Sequence, residues 1–183
     1  MEIPSGKLVK ESVALEAADF LGMLCELKAK RFNGYLALTF YGDGLEEGLE
    51  FFDSGAPVAS VYEYFPLKRT YLGKDAWPRL LNASAGKNGV IDVVELSSEQ
   101  VKLFLAFNES AVAIPPAEDL KPRRIAFSGE FASAAAREAE PATREALLRK
   151  YGITPADAKP VEERKEGAPL VLDYFEKLFK KKG

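Results

Sequence analysis

The sequence predicts an α+β domain with an antiparallel four-stranded sheet and the element order helix-β-β-β-helix-β-helix. In three consecutive stretches of the chain, side chains alternate between the two sides as they do in β-strands, and short glycine-containing turns separate the stretches. Apolar residues recur at helical spacing on either side of these runs. Because short turns join neighbouring strands, the three runs are expected to form an antiparallel meander. A mostly helical C-terminal arm is predicted to follow.

The first half of this domain is predicted from periodicity and turn chemistry. The first helix is expected over 14–31 and ends at Asn33-Gly34, since glycine is favoured just past a helix C-terminus. The three strands are expected over 35–41, 45–53 and 57–64. Between the second and third, the tight turn Asp53-Ser54-Gly55-Ala56 predicts a positive φ at Gly55.

The second half contains two helices and one strand. A helix is expected over 73–85, where Pro78 must lie in the first turn, and a fourth strand over 90–96. Ser97 precedes Gln100 by three residues, which is the spacing of a capping box at the start of a third helix.

The composition changes after about residue 110, and three segments are predicted. Residues 1–110 form the α+β domain, 111–141 an Ala/Pro-rich linker or arm, and 142–183 a helical segment. An amphipathic helix over 169–182 ends the chain. It can pack on its own domain, dock on a partner or lie on a membrane, and its candidate contact residues are Val171, Phe175, Leu178 and Phe179.

Composition excludes several classes of chemistry. The 183 residues carry a net charge of −3 and contain no histidine and one cysteine. Mechanisms and metal sites that need histidine are therefore excluded, as are cysteine-rich zinc sites and intramolecular disulfides. We expect a non-enzymatic protein without a cofactor or a metal. Few Asn and Gln and many charged residues resemble thermophile usage, and no signal peptide or membrane span is recognised, which favours the cytoplasm.

Three further features are expected to be structural. The carboxylates Glu46, Glu47, Glu50 and Asp53 lack calcium-loop spacing, so a solvated edge or turn is expected. The glycine-rich stretches 42–44 and 86–89 lack the phosphate-binding fingerprints and are expected to be ordinary turns. Cys25 lies beside the apolar stripe of the first helix and is expected to be buried.

Two surfaces are candidate binding sites. Tyrosines on the first and third strands predict an aromatic sheet face, which the helices leave for the C-terminal arm or a protein partner to cover. A basic loop after the third strand is a candidate site for anions or nucleic acid. The candidate partner-binding tyrosines are Tyr35, Tyr41, Tyr62 and Tyr64, and the candidate anion-binding residues are Lys68, Arg69 and Lys74.

The stretch from Phe32 to Asn108 has a recognisable skeleton of glycines and apolar positions. Its motifs are Gly34-Tyr35-Leu36, the strand-turn-strand unit 48–60, Gly73-Lys74-Asp75-Ala76 and Gly89-Val90-Ile91-Asp92. This skeleton resembles the PATAN-type domain, and a longer match reaching Ile153 looks like a family of uncharacterised archaeal proteins. The resemblance implies the fold, a role in signalling and protein–protein contact, and no catalytic residues.

These observations favour a regulatory or scaffold module that binds another protein or a second copy of itself, in signalling or assembly. The alternative is a nucleic-acid or ribosome-associated protein that uses the basic loop and the Lys-rich C-terminus. Peripheral membrane contact has less support, since the last helix has only one apolar face.

Overall fold

The computed structural model describes residues 2–121 and 123–139. All of them belong to the first of two units, Met1–Glu140, and the second, Pro141–Gly183, lies outside the described residues. The predicted segment 142–183 therefore falls there, with its helix and the residues Val171, Phe175, Leu178 and Phe179. The strands and helices run in the order β1 (Lys7–Ala14), α1 (Phe20–Ala29), β2 (Gly34–Tyr41), β3 (Leu45–Asp53), β4 (Ala56–Tyr64), β5 (Arg69–Leu72), α2 (Trp77–Ala83), β6 (Gly89–Glu95), α3 (Ser98–Phe107) and α4 (Glu130–Ala139).

The sheet is antiparallel throughout and has the strand order β1-β6-β2-β3-β4-β5. The prediction of an α+β fold with an antiparallel sheet is confirmed, but the prediction of four strands is wrong. The two additional strands, β1 and β5, lie at the sheet edges. β1 precedes the first helix, so α1 begins at Phe20, where the Asp19 side chain accepts a 2.9 Å hydrogen bond from the Gly22 backbone N–H.

The β3–β4 hairpin has the two-residue loop Ser54-Gly55. Both residues have positive φ, 51° and 82°, as the type I′ turn requires. The predicted positive φ of Gly55 is confirmed. A Cβ at this position would lie 2.5 Å from the backbone oxygen of Lys28 at the end of α1. Only glycine allows the hairpin to approach the helix this closely.

Helices cover both faces of the sheet. The α1/α2 face includes Leu36, Leu38 and Ile91, and the α3 face includes Phe51 and Val94. On the α3 face the rings of Phe51 and Phe104 stack with centroids 3.8 Å apart. The expectation that all three helices cover one face is therefore wrong.

The chain after α3 contacts the sheet and then α2. Ala113 N–H donates to the Val58 backbone oxygen at 3.0 Å. The Trp77 indole donates to Asp119 at 3.1 Å, and Asn82 exchanges two hydrogen bonds, of 2.9 and 2.7 Å, with the Ser128 backbone. In the described part of the chain, no helix has the length and apolarity needed to cross a membrane.

Candidate functional site

The outward side of α3 carries two large apolar side chains in solvent. Leu103 is 59% exposed and Phe107 is 80% exposed. They are four positions apart in the sequence, so they lie one above the other on the helix surface. Val101 and Phe104 point the other way and are buried against the sheet. Helix α3 is therefore apolar on two sides, only one of which the sheet covers.

The N-terminal segment forms the second wall of a groove along this side of α3. The groove has a volume of about 730 Å³, and its lining includes Ile3, Pro4, Leu103 and Phe107. Gln100 joins the two walls, because its side-chain amide donates to the Ser5 backbone oxygen at 3.1 Å. We call this feature the α3 groove.

The same Gln100 belongs to the predicted capping box, which is confirmed. Its side-chain oxygen accepts from the Ser97 backbone N–H at 2.9 Å, and the Ser97 hydroxyl accepts from the Gln100 N–H at 3.2 Å. One side chain thus fixes both the start of α3 and the position of the N-terminal segment.

The surroundings of the α3 groove are acidic. Glu2 lines it, Glu99 lies one turn before Leu103, and Glu109 lies two residues after the end of the helix, all three exposed. Hydrogen bonds from its own backbone N–H and from the Ser97 side chain lower the pKa of Glu99, so this carboxylate stays ionised at neutral pH. Lys102 is the one basic residue on α3.

The four candidate tyrosines do not form one surface. Tyr35 and Tyr41 lie on the α3 face. The ring centroids of Tyr35 and Phe51 are 5.2 Å apart, and Tyr41 is 62% exposed. Tyr62 and Tyr64 lie on the opposite, α1/α2 face, and both are buried. The expected single aromatic face is therefore wrong, and of the four only Tyr41 is largely exposed.

The three candidate anion-binding residues are spread along β5. Lys68 precedes the strand, Arg69 is its first residue and is half-buried, and Lys74 follows it. Four strand residues span roughly 13 Å, so Lys68 and Lys74 lie at opposite ends rather than in one cluster.

Two of the four β3 and turn carboxylates are buried, which corrects the expectation of a solvated edge. Glu50 accepts a 2.5 Å hydrogen bond from the Ser60 hydroxyl, and Glu46 accepts one from the Tyr62 hydroxyl. Alternation along β3 places Glu46 and Glu50 on one face of the sheet, but alternation alone does not show that this part of the face is buried. The expectation for Cys25 is also wrong, because its side chain is exposed.

Comparison with known proteins places the chain in a family. A protein from Archaeoglobus fulgidus, described as an uncharacterized protein, is 28% identical over 163 residues, which are 89% of this chain and 61% of that protein. The chain thus spans about three-fifths of the length of this relative. No solved structure matches this chain. A family model matches residues 1–108, more than half of the sequence, and the chain belongs to that family, described as uncharacterized protein conserved in archaea (DUF2226).

Proposed function

We propose that this chain is a non-enzymatic regulatory or scaffold module that binds another protein in a signalling or assembly context. The α3 groove is the binding surface, and the exposure of Leu103 and Phe107 one helical turn apart is the observation that carries the proposal. Burying such side chains yields up to roughly 1.5–3 kcal/mol each. A similarity of the core to the PATAN-type signalling domain is part of the same proposal.

The charges around the groove define the partner. Glu2, Glu99 and Glu109 lie around the groove, and Lys102 is the one basic residue of the helix. A complementary partner presents apolar anchor residues flanked by Lys or Arg. An amphipathic helix that lays its apolar side into a groove is a common solution of this kind.

A synthetic peptide series tests this proposal. The probe is an amphipathic peptide with Leu and Phe one turn apart and Lys on its flanks, and binding is followed by fluorescence polarisation. We expect Phe107→Ala to weaken binding roughly ten- to hundredfold. Ile114→Ala is the matched control, because Ile114 is 79% exposed and is not part of the groove lining.

Two further peptides separate the apolar and the electrostatic contributions. A peptide of the same composition with its apolar residues scrambled should bind weakly, and one with Glu in place of Lys should bind less well at low salt. Equal binding of all three peptides, or equal losses for Phe107→Ala and Ile114→Ala, would contradict the proposed docking surface.

A nucleic-acid or ribosome-associated role is the alternative, and it has less support. Lys68 and Lys74 lie at opposite ends of β5, and residues 1–110 contain 11 basic and 16 acidic residues. Salt-sensitive RNA binding that is lost in Lys68→Gln and Lys74→Gln, but not in Phe107→Ala, would favour this alternative.

A further inference from the structure

The two glycine-rich turns, 42–44 and 86–89, meet at one end of the sheet and border a cleft. The backbone N–H of Tyr41 donates to the Asn88 backbone oxygen at 2.8 Å, which holds the two turns together. The cleft between them has a volume of about 400 Å³, which lies in the lower range for small-molecule sites. We call it the β2–β6 cleft.

A buried carboxyl group opens onto the β2–β6 cleft. Glu46 lines the cleft although its side chain is only 8% exposed. Its Oε2 accepts the hydrogen bond from Tyr62, and among the described residues no other side-chain hydrogen bond to Glu46 is found. Oε1 lies 3.1 Å from the point that a Cβ on Gly42 would occupy. The glycine therefore leaves open the space next to this oxygen.

The walls of the cleft are aromatic and small. The rings of Phe40 and Phe127 lie with their centroids 5.4 Å apart, and Phe127 is about half exposed. A Cβ on Gly86 would lie 2.1 Å from the Phe40 ring, so glycine allows the turn to approach that ring. Aromatic faces attract cations through their negative π-surface.

The charges favour a cationic ligand. Asp43 and Glu46 both line the cleft, and Lys87 is its one basic lining residue among those described. An acidic ligand would meet both carboxyl groups. A metal site is not indicated, because the described residues contain no group of three Asp, Glu or Cys side chains that could hold an ion.

We propose that the β2–β6 cleft binds a small organic cation with an amine, amidine or guanidine group. The charged group pairs with Oε1 of Glu46, and the apolar part of the ligand lies against Phe40 and Phe127. Burial raises the pKa of Glu46, and the Tyr62 hydrogen bond opposes that effect. A cation beside Oε1 supplies the partner that the described residues do not.

Three probes of similar shape and different charge test the proposal. Benzamidinium, neutral benzamide and anionic benzoate are titrated into the full chain, with isothermal titration calorimetry and amide chemical shifts as readouts. We expect benzamidinium to bind and to shift amides of the 42–44 and 86–89 turns, and the other two probes to leave them unchanged. Binding of benzamide or benzoate as tight as that of benzamidinium, or no binding of any probe at millimolar concentration, overturns the proposal.

Neighbouring glutamates provide a matched pair of variants. Glu46→Gln should weaken benzamidinium binding at least roughly tenfold. Glu47→Gln is the control, because the side chain of the next strand residue points to the opposite face of the sheet. Equal losses in the two variants overturn the proposal. If Glu46→Gln fails to fold, Phe127→Ala in the cleft lining is used instead. Wild-type affinity for benzamidinium in that variant also overturns the proposal.

Discussion

Glu50 makes the stability of the domain depend on pH in a direction that can be measured. Its side chain is fully buried on β3, where its Oε2 accepts a hydrogen bond from the Ser60 hydroxyl. Among the residues that the structure describes, its Oε1 has no hydrogen-bond partner. Burial raises the pKa of Glu50 well above the ordinary value of 4.5, although the Ser60 hydrogen bond acts in the other direction. Between pH 4.5 and the raised pKa, Glu50 therefore keeps a proton in the folded protein that it releases in the unfolded chain.

The sign follows from that difference in proton binding. For a carboxyl group with a raised folded-state pKa, the contribution to stability is fully present below the unfolded pKa of 4.5 and is lost as pH rises toward the folded value. Each pH unit in this window costs about 1.4 kcal/mol of unfolding free energy.

Glu50→Gln removes this pH dependence while keeping the shape of the side chain. The amide oxygen can still accept from Ser60, but the amide N–H₂ takes the place of Oε1, which has no hydrogen-bond partner among the described residues, and a buried unsatisfied donor costs roughly 1–3 kcal/mol. At pH 4 the variant should therefore be less stable than the wild type. As the pH rises above 4.5, the wild type loses about 1.4 kcal/mol per unit until the folded-state pKa is reached, so the stability difference between wild type and variant should shrink with rising pH.

Urea unfolding at one-unit intervals from pH 4 to pH 8 measures the effect. Exposed Glu95 at the end of β6 supplies the control variant Glu95→Gln, which removes one negative charge without changing the core. Unfolding free energies of wild type and Glu50→Gln that run parallel over the whole range would refute the assignment of a proton to Glu50.

Two local substitutions are expected to destabilise the domain for stated reasons. Gly55→Val should lower the free energy of unfolding by at least roughly 1–2 kcal/mol, because φ at Gly55 is 82° and the new Cβ meets the backbone of Lys28. The control variant Ser54→Gly should be tolerated. An unchanged denaturation midpoint for Gly55→Val would contradict the assigned turn. Ser97→Ala should cost about 0.5–2 kcal/mol through loss of the α3 cap, whereas Ser98→Ala, one residue on, should cost less; equal melting temperatures would show that the cap contributes nothing.

Local sequence signals predicted the meander, the Gly55 turn and the α3 cap, because each depends on a few adjacent residues. They did not predict β1, whose pairing with β6 is irregular between Leu8 and Lys10 and between Lys10 and Val13. Those irregularities break the period-two alternation by which a strand is recognised. β5 has only four residues, too few for a periodic signal.

The sequence of α3 carries a signal for the α3 groove. Four of the ten α3 residues are Leu or Phe, namely Leu103, Phe104, Leu105 and Phe107. These side chains cannot all face one sheet, since a helix that is apolar around much of its circumference needs a second covering surface. The position of the N-terminal segment across the helix could not be predicted, because it depends on the long-range hydrogen bond from Gln100 to Ser5.

The placement of the tyrosines depends on a single residue in β4. From the hairpin loop, Asp53 pairs with Ala56 and Phe52 with Pro57, but Phe51 then pairs with Ala59, so Val58 is a bulge. A regular hairpin would place Tyr62 opposite Glu47, on the face of Tyr35, as the sequence predicted.

The bulge shifts the register by one residue and moves every later side chain of β4 to the other face. Ser60 consequently lies opposite Glu50, and Tyr62 lies on the same face as Glu46 and within hydrogen-bonding reach of it. The buried carboxyl group that controls the pH dependence and the one that opens onto the β2–β6 cleft thus both owe their partners to Val58. Period-two alternation alone cannot reveal such a shift, because each half of the strand keeps its own alternation on either side of the bulge.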